Sequence, residues 1–486
     1  MKLQGKHVLI LGLGESGLAA ARWCDRQGAR LRVADTRANP PGLDAIRRLA
    51  NADFFGGEFD KSLLDGIDLV VLSPGLSPGI LVVIHARAQG IPVVGEIELF
   101  AQALRNLAQH VPVIAITGTN GKTTTTTLTG HLIASTGRSV GVAGNISPAA
   151  LDALMAYQDK GALPQAWVLE LSSFQLETTE TLNATTATVL NISDDHLDRY
   201  IDLDDYALTK TRIFQGDGVQ VLNRDDARVK RMAIAGRRLI SFGLDAPAAE
   251  EDFGLRPNRG EAWLVQGSRF LMPVSELPIA GMHNAANALA ALALCVAVGL
   301  DPVALLPSLR CFEGLAHRVE KVATIADVTY YDDSKGTNVG ATVAALQGLG
   351  CRSVVILGGD GKGQDFAPLK PAVAAHARAV VLIGRDGAAI GAAITGCGVP
   401  VVAAADMDDA VRQAARLAQA GDAVLLSPAC ASFDMFLKYA HRAEVFREAI
   451  TALQGAGACT PPCAADVSAL ATSGRMKSIR CSSGRR

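Results

Sequence analysis

Short apolar runs alternate with helical stretches and restart twice along the 486 residues, which predicts an α/β chain of three doubly wound domains. Three observations carry this expectation. A strand, a glycine turn and a helix open the chain at residues 7–27, a second such unit follows Pro112, and the alternation begins again near Leu315. The expected domains are 1–108, 109–314 and 315–455, with 456–486 as a disordered tail of small, polar and finally basic residues.

In the first domain, residues 7–11 read as an apolar strand, 12–17 as a turn, 18–27 as a helix and 29–34 as a second strand. Strands at 69–72 and 91–94 and a helix at 97–107 follow. The middle domain has strands at 113–116, 167–171, 188–191 and 219–222, each running into polar residues, so its chemistry belongs at those strand ends. Residues 246–267 are turn-rich and read as a short antiparallel excursion, before an Ala-rich helix that begins after Gly281. Strands at 328–331, 353–357, 379–383, 400–403 and 423–426 make the third domain.

Composition narrows the function classes. Lys+Arg 46 against Asp+Glu 48 leaves a net charge of −2, which argues against nucleic acid or an anionic membrane as a partner. The longest apolar run, 288–300, is too short to span a bilayer, and the first residues carry no apolar signal core. A cytoplasmic protein is expected, and a monomer. Nine cysteines lack metal-like pairing, and Cys459 and Cys463 in the tail read as incidental. The basic residues of the tail, with no fold or aromatic interleaving, do not argue for nucleic acid.

The strongest motif is Gly118-Thr119-Asn120-Gly121-Lys122-Thr123-Thr124, set between a buried strand and a helix. Its glycines let backbone N–H groups face phosphate oxygens, Lys122 supplies charge for β/γ phosphates, and the Thr123 hydroxyl suits Mg²⁺. Two residues separate the glycines where the usual loop has four. A second glycine turn, Gly12 to Gly17 with Gly14, Glu15 and Ser16 inside it, is followed by Asp35 at a strand end. Alone it reads as a dinucleotide site, although any nucleotide diphosphate could use it. Glu170, and Asp194, Asp195, His196 and Asp198, end strands beside the phosphate loop and offer metal ligands. Lys210 sits on a helix, where a solvated lysine is the ordinary expectation. Asn284 and Asn287 share a helix face that could read a purine or phosphate, with helix capping as the competing role for Asn284. The loops at 332–338 and 358–363 suggest a second anion site, and Cys430 reads as a buried structural thiol.

Together these motifs resemble the Mur ligase family over residues 1–453. The seven-residue loop at 118–124 matches the family's own shortened phosphate loop, and Glu170, His196, Asn284, Asn287, His317 and Arg318 fall in family order. Residues 35–37, 333–338 and 427–433 resemble the D-glutamate-adding member. The resemblance implies a Rossmann-like first domain, a P-loop NTPase-like middle domain and a Rossmann-like third domain. It also implies ATP-dependent joining of D-glutamate to UDP-N-acetylmuramoyl-L-alanine through an acyl phosphate in peptidoglycan precursor synthesis, with two Mg²⁺.

By the same resemblance, Gly14, Ser16, Asp35, Thr36, Arg37 and Gly75, with Ser73 and Pro74, hold the UDP moiety, and Asn145 lies near the reacting end. Lys210 matches the lysine that becomes carbamylated and joins His196 on one Mg²⁺, while Thr123 and Glu170 serve the other. Asn284, Asn287, Arg318 and Asp333 hold ATP, and Thr337, Lys362, Ser432 and Phe433 position D-glutamate. Lys122, His196, Lys210 and Arg318 carry catalysis. Position 15 departs from the family pattern, where an apolar residue is common, which leaves the backbone N–H of Glu15 to serve the uridine. The rival readings are a family member with another acceptor, an NAD-dependent oxidoreductase built on Gly12 to Gly17, and an ATP-gated binding module.

Overall fold

The computed structural model describes residues 2–107, 110–195 and 199–457. His196, Asp198 and the tail beyond Gly457, with Cys459, Cys463 and Cys481, lie outside the described residues. Three sheets carry the described chain, one in each predicted segment. The first is parallel, with strands β1 (His7–Leu11), β2 (Arg30–Asp35), β3 (Ala52–Gly56), β4 (Leu69–Leu72) and β5 (Val93–Val94) in the order β3-β2-β1-β4-β5. The chain reverses its direction of travel between β1 and β4, so the ends of these two strands open a crevice there. The turns after Leu11 and Leu72 face each other across it, and the Ser73 N–H donates to the Leu11 carbonyl at 2.9 Å.

The middle sheet comprises β6 (Val113–Thr117), β7 (Val140–Gly144), β8 (Ala166–Glu170), β9 (Thr186–Val189), β10 (Val219–Asn223), β11 (Leu239–Phe242), β12 (Phe253–Asn258), β13 (Glu261–Gln266) and β14 (Arg269–Pro273). Its order is β14-β13-β12-β11-β10-β9-β6-β8-β7, with parallel pairings as far as β11-β12 and antiparallel ones only between β12 and β13 and between β13 and β14. The excursion expected at 246–267 is therefore real and runs on to Pro273. The third sheet has β15 (Glu320–Ile325), β16 (Val328–Asp332), β17 (Ser353–Gly358), β18 (Ala377–Ile383), β19 (Val401–Ala403) and β20 (Ala423–Leu426), ordered β15-β16-β20-β17-β18-β19. Only β15 is antiparallel in it.

Strands that the sequence reading passed over share one property: their apolar pattern is broken. β7 reads Val-Gly-Val-Ala-Gly, and Gly141 is required because a Cβ there would lie 2.4 Å from the buried Trp167 ring. β15, Glu-Lys-Val-Ala-Thr-Ile, opens with two charged residues and runs along a half-exposed edge, as suits a strand with a solvated side.

The cores divide the molecule unevenly. One buried apolar cluster runs without a break from the first sheet into the middle domain, with Phe100 edge-on to Trp167 at 5.1 Å between ring centroids. The clusters of the third domain contain no residue before Val319. The first two domains are thus joined by close-packed side chains, while the third meets the middle one through polar groups such as the paired amides of Asn120 and Asn338.

Candidate active site

The phosphate loop is shaped by what lies behind it. Gly121 has φ +83°, and a Cβ there would sit 2.4 Å from Asn287 Oδ1, so glycine is required on both counts. The Thr119 N–H donates to the Asn191 carbonyl at 2.9 Å, and the Asn120 N–H donates to Asn191 Oδ1 at 2.8 Å. These bonds fasten the loop to the end of β9. Helix Lys122–Ala134 then starts from Gly121 with no side-chain cap, so its first-turn N–H groups point into the space where an anion would bind. Lys122 Nζ donates to the Gly118 and Thr119 carbonyls at 2.8 and 2.7 Å.

Two adjoining cavities meet at this loop. A polar one of about 250 Å³ is lined by Lys122, Thr123, Asn145, Glu170, Arg318 and Lys362 among others. A more apolar one of about 360 Å³ is lined by Leu190, Phe242, Asn284, Asn287, Asp333 and Ala341 among others. Asn120, Gly121, Arg318 and Lys335 border both, so a charged tail and a flat apolar head could be held at once.

The charges around the polar cavity are strongly perturbed. Burial holds the Lys122 ammonium below the ordinary lysine range, against the pull of Glu170 and Asp195. Lys210 is fully buried, with Nζ 3.2 Å from Thr117 Oγ1, 3.1 Å from the Gly118 carbonyl and 4.6 Å from the Tyr206 ring centroid. Burial drives its pKa well below the usual value, and repulsion from Lys122 adds to that. Asp333 is pushed up to about 7 by burial, although Ser427 Oγ donates to it at 2.6 Å. Arg318 Nη2 donates to Thr123 Oγ1 at 2.6 Å, reaching from the third domain onto the phosphate loop.

Glu170 tests the fit of a metal ion. Its Oε1 accepts from Asn145 Nδ2 at 2.9 Å, while Oε2 is buried with no hydrogen-bond partner among the described residues. A buried carboxylate oxygen left open beside a phosphate loop suits a hard divalent cation. Thr123 supplies a hydroxyl on the same cavity wall. A more compact group, His317, Glu320 and Asp332, is already filled: Arg447 lies 2.5 Å from Glu320 and 3.5 Å from Asp332. That network positions the backbone before Arg318, with His317 Nδ1 2.7 Å from Asp332 Oδ2.

Residues 6–95 match the family described as Mur ligase MurD-like, N-terminal domain, residues 116–295 the Mur ligase middle domain, and residues 317–430 the Mur ligase, glutamate ligase domain. A protein of Aromatoleum aromaticum named UDP-N-acetylmuramoylalanine--D-glutamate ligase is 60% identical over 91% of this chain and 97% of its own. The chain belongs to the Mur ligase family.

A Dechloromonas aromatica relative of the same name is 55% identical over 93% of this chain and 100% of its own. Among solved structures, MurF from Acinetobacter baumannii superposes with a TM-score of 0.58 at 19% identity, covering 92% of this chain and 91% of that one. MurC from Thermotoga maritima gives 0.57 at 18%, covering 92% and 99%. Both share the fold. As a Mur ligase, the chain is an ATP-dependent, amide-forming enzyme of peptidoglycan synthesis.

In this Mur ligase, the residues expected to hold ATP come together: 118–124, Asn287, Arg318 and Asp333 line or adjoin the two cavities. Asn284 does not cap its helix. Its Nδ2 donates back to the Ala280 carbonyl at 2.7 Å, and its Oδ1 accepts from Asn287 Nδ2 at 3.1 Å, which aims Asn287 at Gly121. Thr337 and Lys362 line the polar cavity. Ser432 is buried and Phe433 is 70% exposed, and neither borders it. Lys210 is not the solvated lysine of the ordinary expectation, because helix Leu203–Thr211 turns it under the phosphate loop.

Gly14, Ser16, Thr36, Arg37 and Gly75 sit at the crevice of the first sheet. Asp35 there accepts from the Leu13 N–H at 2.7 Å and from Arg37 through Nε, Nη2 and the backbone N–H, which lowers its pKa to about 2. A carboxylate so engaged organises the turn and presents Arg37. It is not the free ribose acceptor that a dinucleotide reading requires.

Sequence reasoning gave no role to Asn191, which fastens the loop, and named Lys335 and Asn338 only as members of the 332–338 loop: Asn338 pairs with Asn120, and Lys335 Nζ lies 4.0 Å from the Tyr439 ring centroid on the border of both cavities. Arg199 was also missed. It makes a two-point contact with Glu177, lies 4.3 Å from the Phe174 ring centroid, and donates to the Leu76 carbonyl at 2.9 Å across the domain boundary. Its neighbours in the Asp-His-Leu-Asp-Arg-Tyr motif were the only signal.

Proposed function

We infer that this chain joins D-glutamate to UDP-N-acetylmuramoyl-L-alanine using ATP, as the names of its relatives suggest. The observation that carries the reading is one polar cavity bordered by Lys122, Thr123, Glu170 and Asn145 from the middle domain and by Arg318, Thr337 and Lys362 from the third. Segments 1–108, 109–314 and 315–455 serve as the UDP-substrate, ATP and amino-acid domains.

The reaction begins with attack of the L-alanine carboxylate on the ATP γ-phosphate, which releases ADP and leaves an acyl phosphate. The amine of D-glutamate then displaces inorganic phosphate from it and, with loss of a proton, forms the amide. Lys122 leaves its loop carbonyls to neutralise the γ-phosphoryl oxygens, and Arg318 leaves Thr123 to complete the clamp. Asn287 and Asp333 hold the nucleotide in the apolar cavity. Gly14, Ser16, Thr36, Arg37 and Gly75 hold the UDP group, with Asp35 presenting Arg37 to it, Asn145 holds the reacting end, and Thr337, Lys362, Ser432 and Phe433 the D-glutamate.

Two Mg²⁺ would be held by Thr123 and Glu170, and by His196 with carbamylated Lys210, supplying charge neutralisation of the phosphates. The depressed pKa of Lys210 favours the neutral amine that adds to CO₂ with loss of a proton. The enzyme acts as a monomer. No described helix is long and apolar enough to cross a membrane, in keeping with action in the cytoplasm.

The test is phosphate release from ATP that needs both UDP-N-acetylmuramoyl-L-alanine and D-glutamate. Preference for meso-diaminopimelate or L-lysine over D-glutamate would overturn the choice of acceptor, and release without either substrate would overturn the ligase reading.

A further inference from the structure

Helix Glu15–Arg26 places positions 15, 22 and 26 on one face, and all three meet the middle domain. Arg22 pairs with Asp152 at 3.2 Å and Arg26 with Asp159 at 2.6 Å, both on helix Ala150–Asp159. Glu15, at the end nearest the glycine turn, takes a different partner. Ser147 Oγ donates to its Oε1 at 2.7 Å. A carboxylate is favoured at the start of a helix, and here it shares that end with the place where an anionic diphosphate would be held. The bond to Ser147 gives Glu15 a role that an apolar residue could not fill.

What Ser147 belongs to decides that role. The Gly144 N–H donates to the Pro148 carbonyl at 3.1 Å, closing 144–148 into a tight loop. The Asn145 N–H donates to the Glu170 carbonyl at 2.8 Å, and Asn145 Nδ2 donates to Glu170 Oε1 at 2.9 Å. Gly144 has φ +114°, and a Cβ there would fall 2.3 Å from the Glu170 carbonyl oxygen, so the loop cannot back away from β8 without losing this fit. On its far side a second glutamate of the first domain, Glu96, accepts from the Leu151 N–H at 2.6 Å in the buried interface. The first domain therefore holds the C-terminal side of the loop, at Ser147 and just beyond it at Leu151, while Asn145 on its N-terminal side holds the carboxylate whose other oxygen has no partner beside the phosphate cavity.

We propose that Glu15 is a positioning residue: through Ser147 it sets the Asn145 loop against Glu170, so that the UDP crevice and the phosphate cavity share one hydrogen-bonded connection. The proposal rests on the ligase reading above for its effect on turnover. Both side chains are exposed, so the bond adds little stability, and its effect is on geometry.

The experiment compares Glu15→Ala, Ser147→Ala, the double variant, Glu15→Gln and, as a control at the far end of the same face, Arg26→Ala. Two readouts are taken in the full-length enzyme. One is kcat at saturating substrates. The other is the Mg²⁺ concentration needed for half-maximal ATP binding by calorimetry, which requires no turnover. Glu15→Ala and Ser147→Ala should each lower kcat about five-fold and raise the Mg²⁺ requirement by a similar factor, as expected for one hydrogen bond acting on a ligand's orientation.

The double variant should be no worse than either single one, Glu15→Gln should recover most of the loss, and Arg26→Ala should stay near wild type. Multiplying losses in the double variant, an equal effect of Arg26→Ala, or a weakened affinity for the UDP substrate with kcat and Mg²⁺ requirement unchanged would overturn the proposal. An inactive wild type would instead count against the ligase reading, and the calorimetric comparison would still decide the role of Glu15.

Discussion

The chain contains two glycine turns between a strand and a helix, and they differ in nearly everything except that local design. At residues 12–17 the turn is open, its helix begins with Glu15, and the nearby Asp35 is saturated by the Leu13 N–H and Arg37. At residues 118–122 the turn is enclosed, its helix begins with Lys122, and the surrounding Lys122, Lys210, Arg318 and Asp333 are all perturbed by burial. The lesson is that a glycine turn supplies N–H groups and a helix end, while the side chains packed around it decide what they do. Satisfied charges around the first make a rigid docking edge. Desolvated, partly unsatisfied charges around the second make a site poised for phosphoryl chemistry.

The sharpest way to break this contrast is Lys122→Ala. It should lower the D-glutamate-dependent rate of phosphate release by at least on the order of 10²-fold, as for other preorganised electrostatic groups. Turnover close to wild type would mean that the second turn is no more reactive than the first. Next comes Glu170→Gln, which keeps an acceptor for Asn145 but removes the charge from the open oxygen. Its Mg²⁺ requirement should rise by at least about ten-fold, and a magnesium titration with an unmoved midpoint would remove Glu170 from the metal site.

A pH measurement separates the two turns further. The Asp333 pKa is raised to about 7, so its favourable contribution is complete below the carboxylate's unfolded value and fades as pH rises through about 7. In melting of the ligand-free protein, Asp333→Asn should therefore gain on wild type between about pH 5 and about pH 8. A constant difference across that window would show that Asp333 is already ionised. Asp35 has the opposite sign. Its pKa is lowered to about 2, so its contribution is present above its unfolded value and lost as pH falls through about 2. With Arg37 half exposed, screening leaves about 1 kcal/mol for that pair. Asp35→Asn should cost about that much stability at neutral pH and raise KM for the UDP substrate several-fold with little change in kcat. A large loss of kcat instead would place the first turn inside the chemistry.

Much of this was legible along the chain. Buried parallel strands such as Val113–Thr117 and Ser353–Gly358 announce themselves as apolar runs, because both of their faces are covered. The phosphate loop was legible because its chemistry is local: glycines, a lysine and a threonine must follow one another. Lys210 was not legible from its own helix, whose sequence shows an ordinary lysine, and only the resemblance to other Mur ligases singled it out. The individual roles of Asn191, Asn338 and Arg199 were not legible, since what they do is touch residues far away in the chain.

By itself, then, the sequence determined the three α/β domains, the two glycine turns and the order of the chemistry-bearing residues, because each rests on periodicity or on neighbours in the chain. Only the tertiary structure decided which turn is desolvated, that Asp35 is already occupied, that Glu170 keeps one oxygen open, and that Glu15 reaches Ser147. Burial and hydrogen-bond saturation depend on groups brought together across domain boundaries, and it is these that turn one backbone design into two different sites.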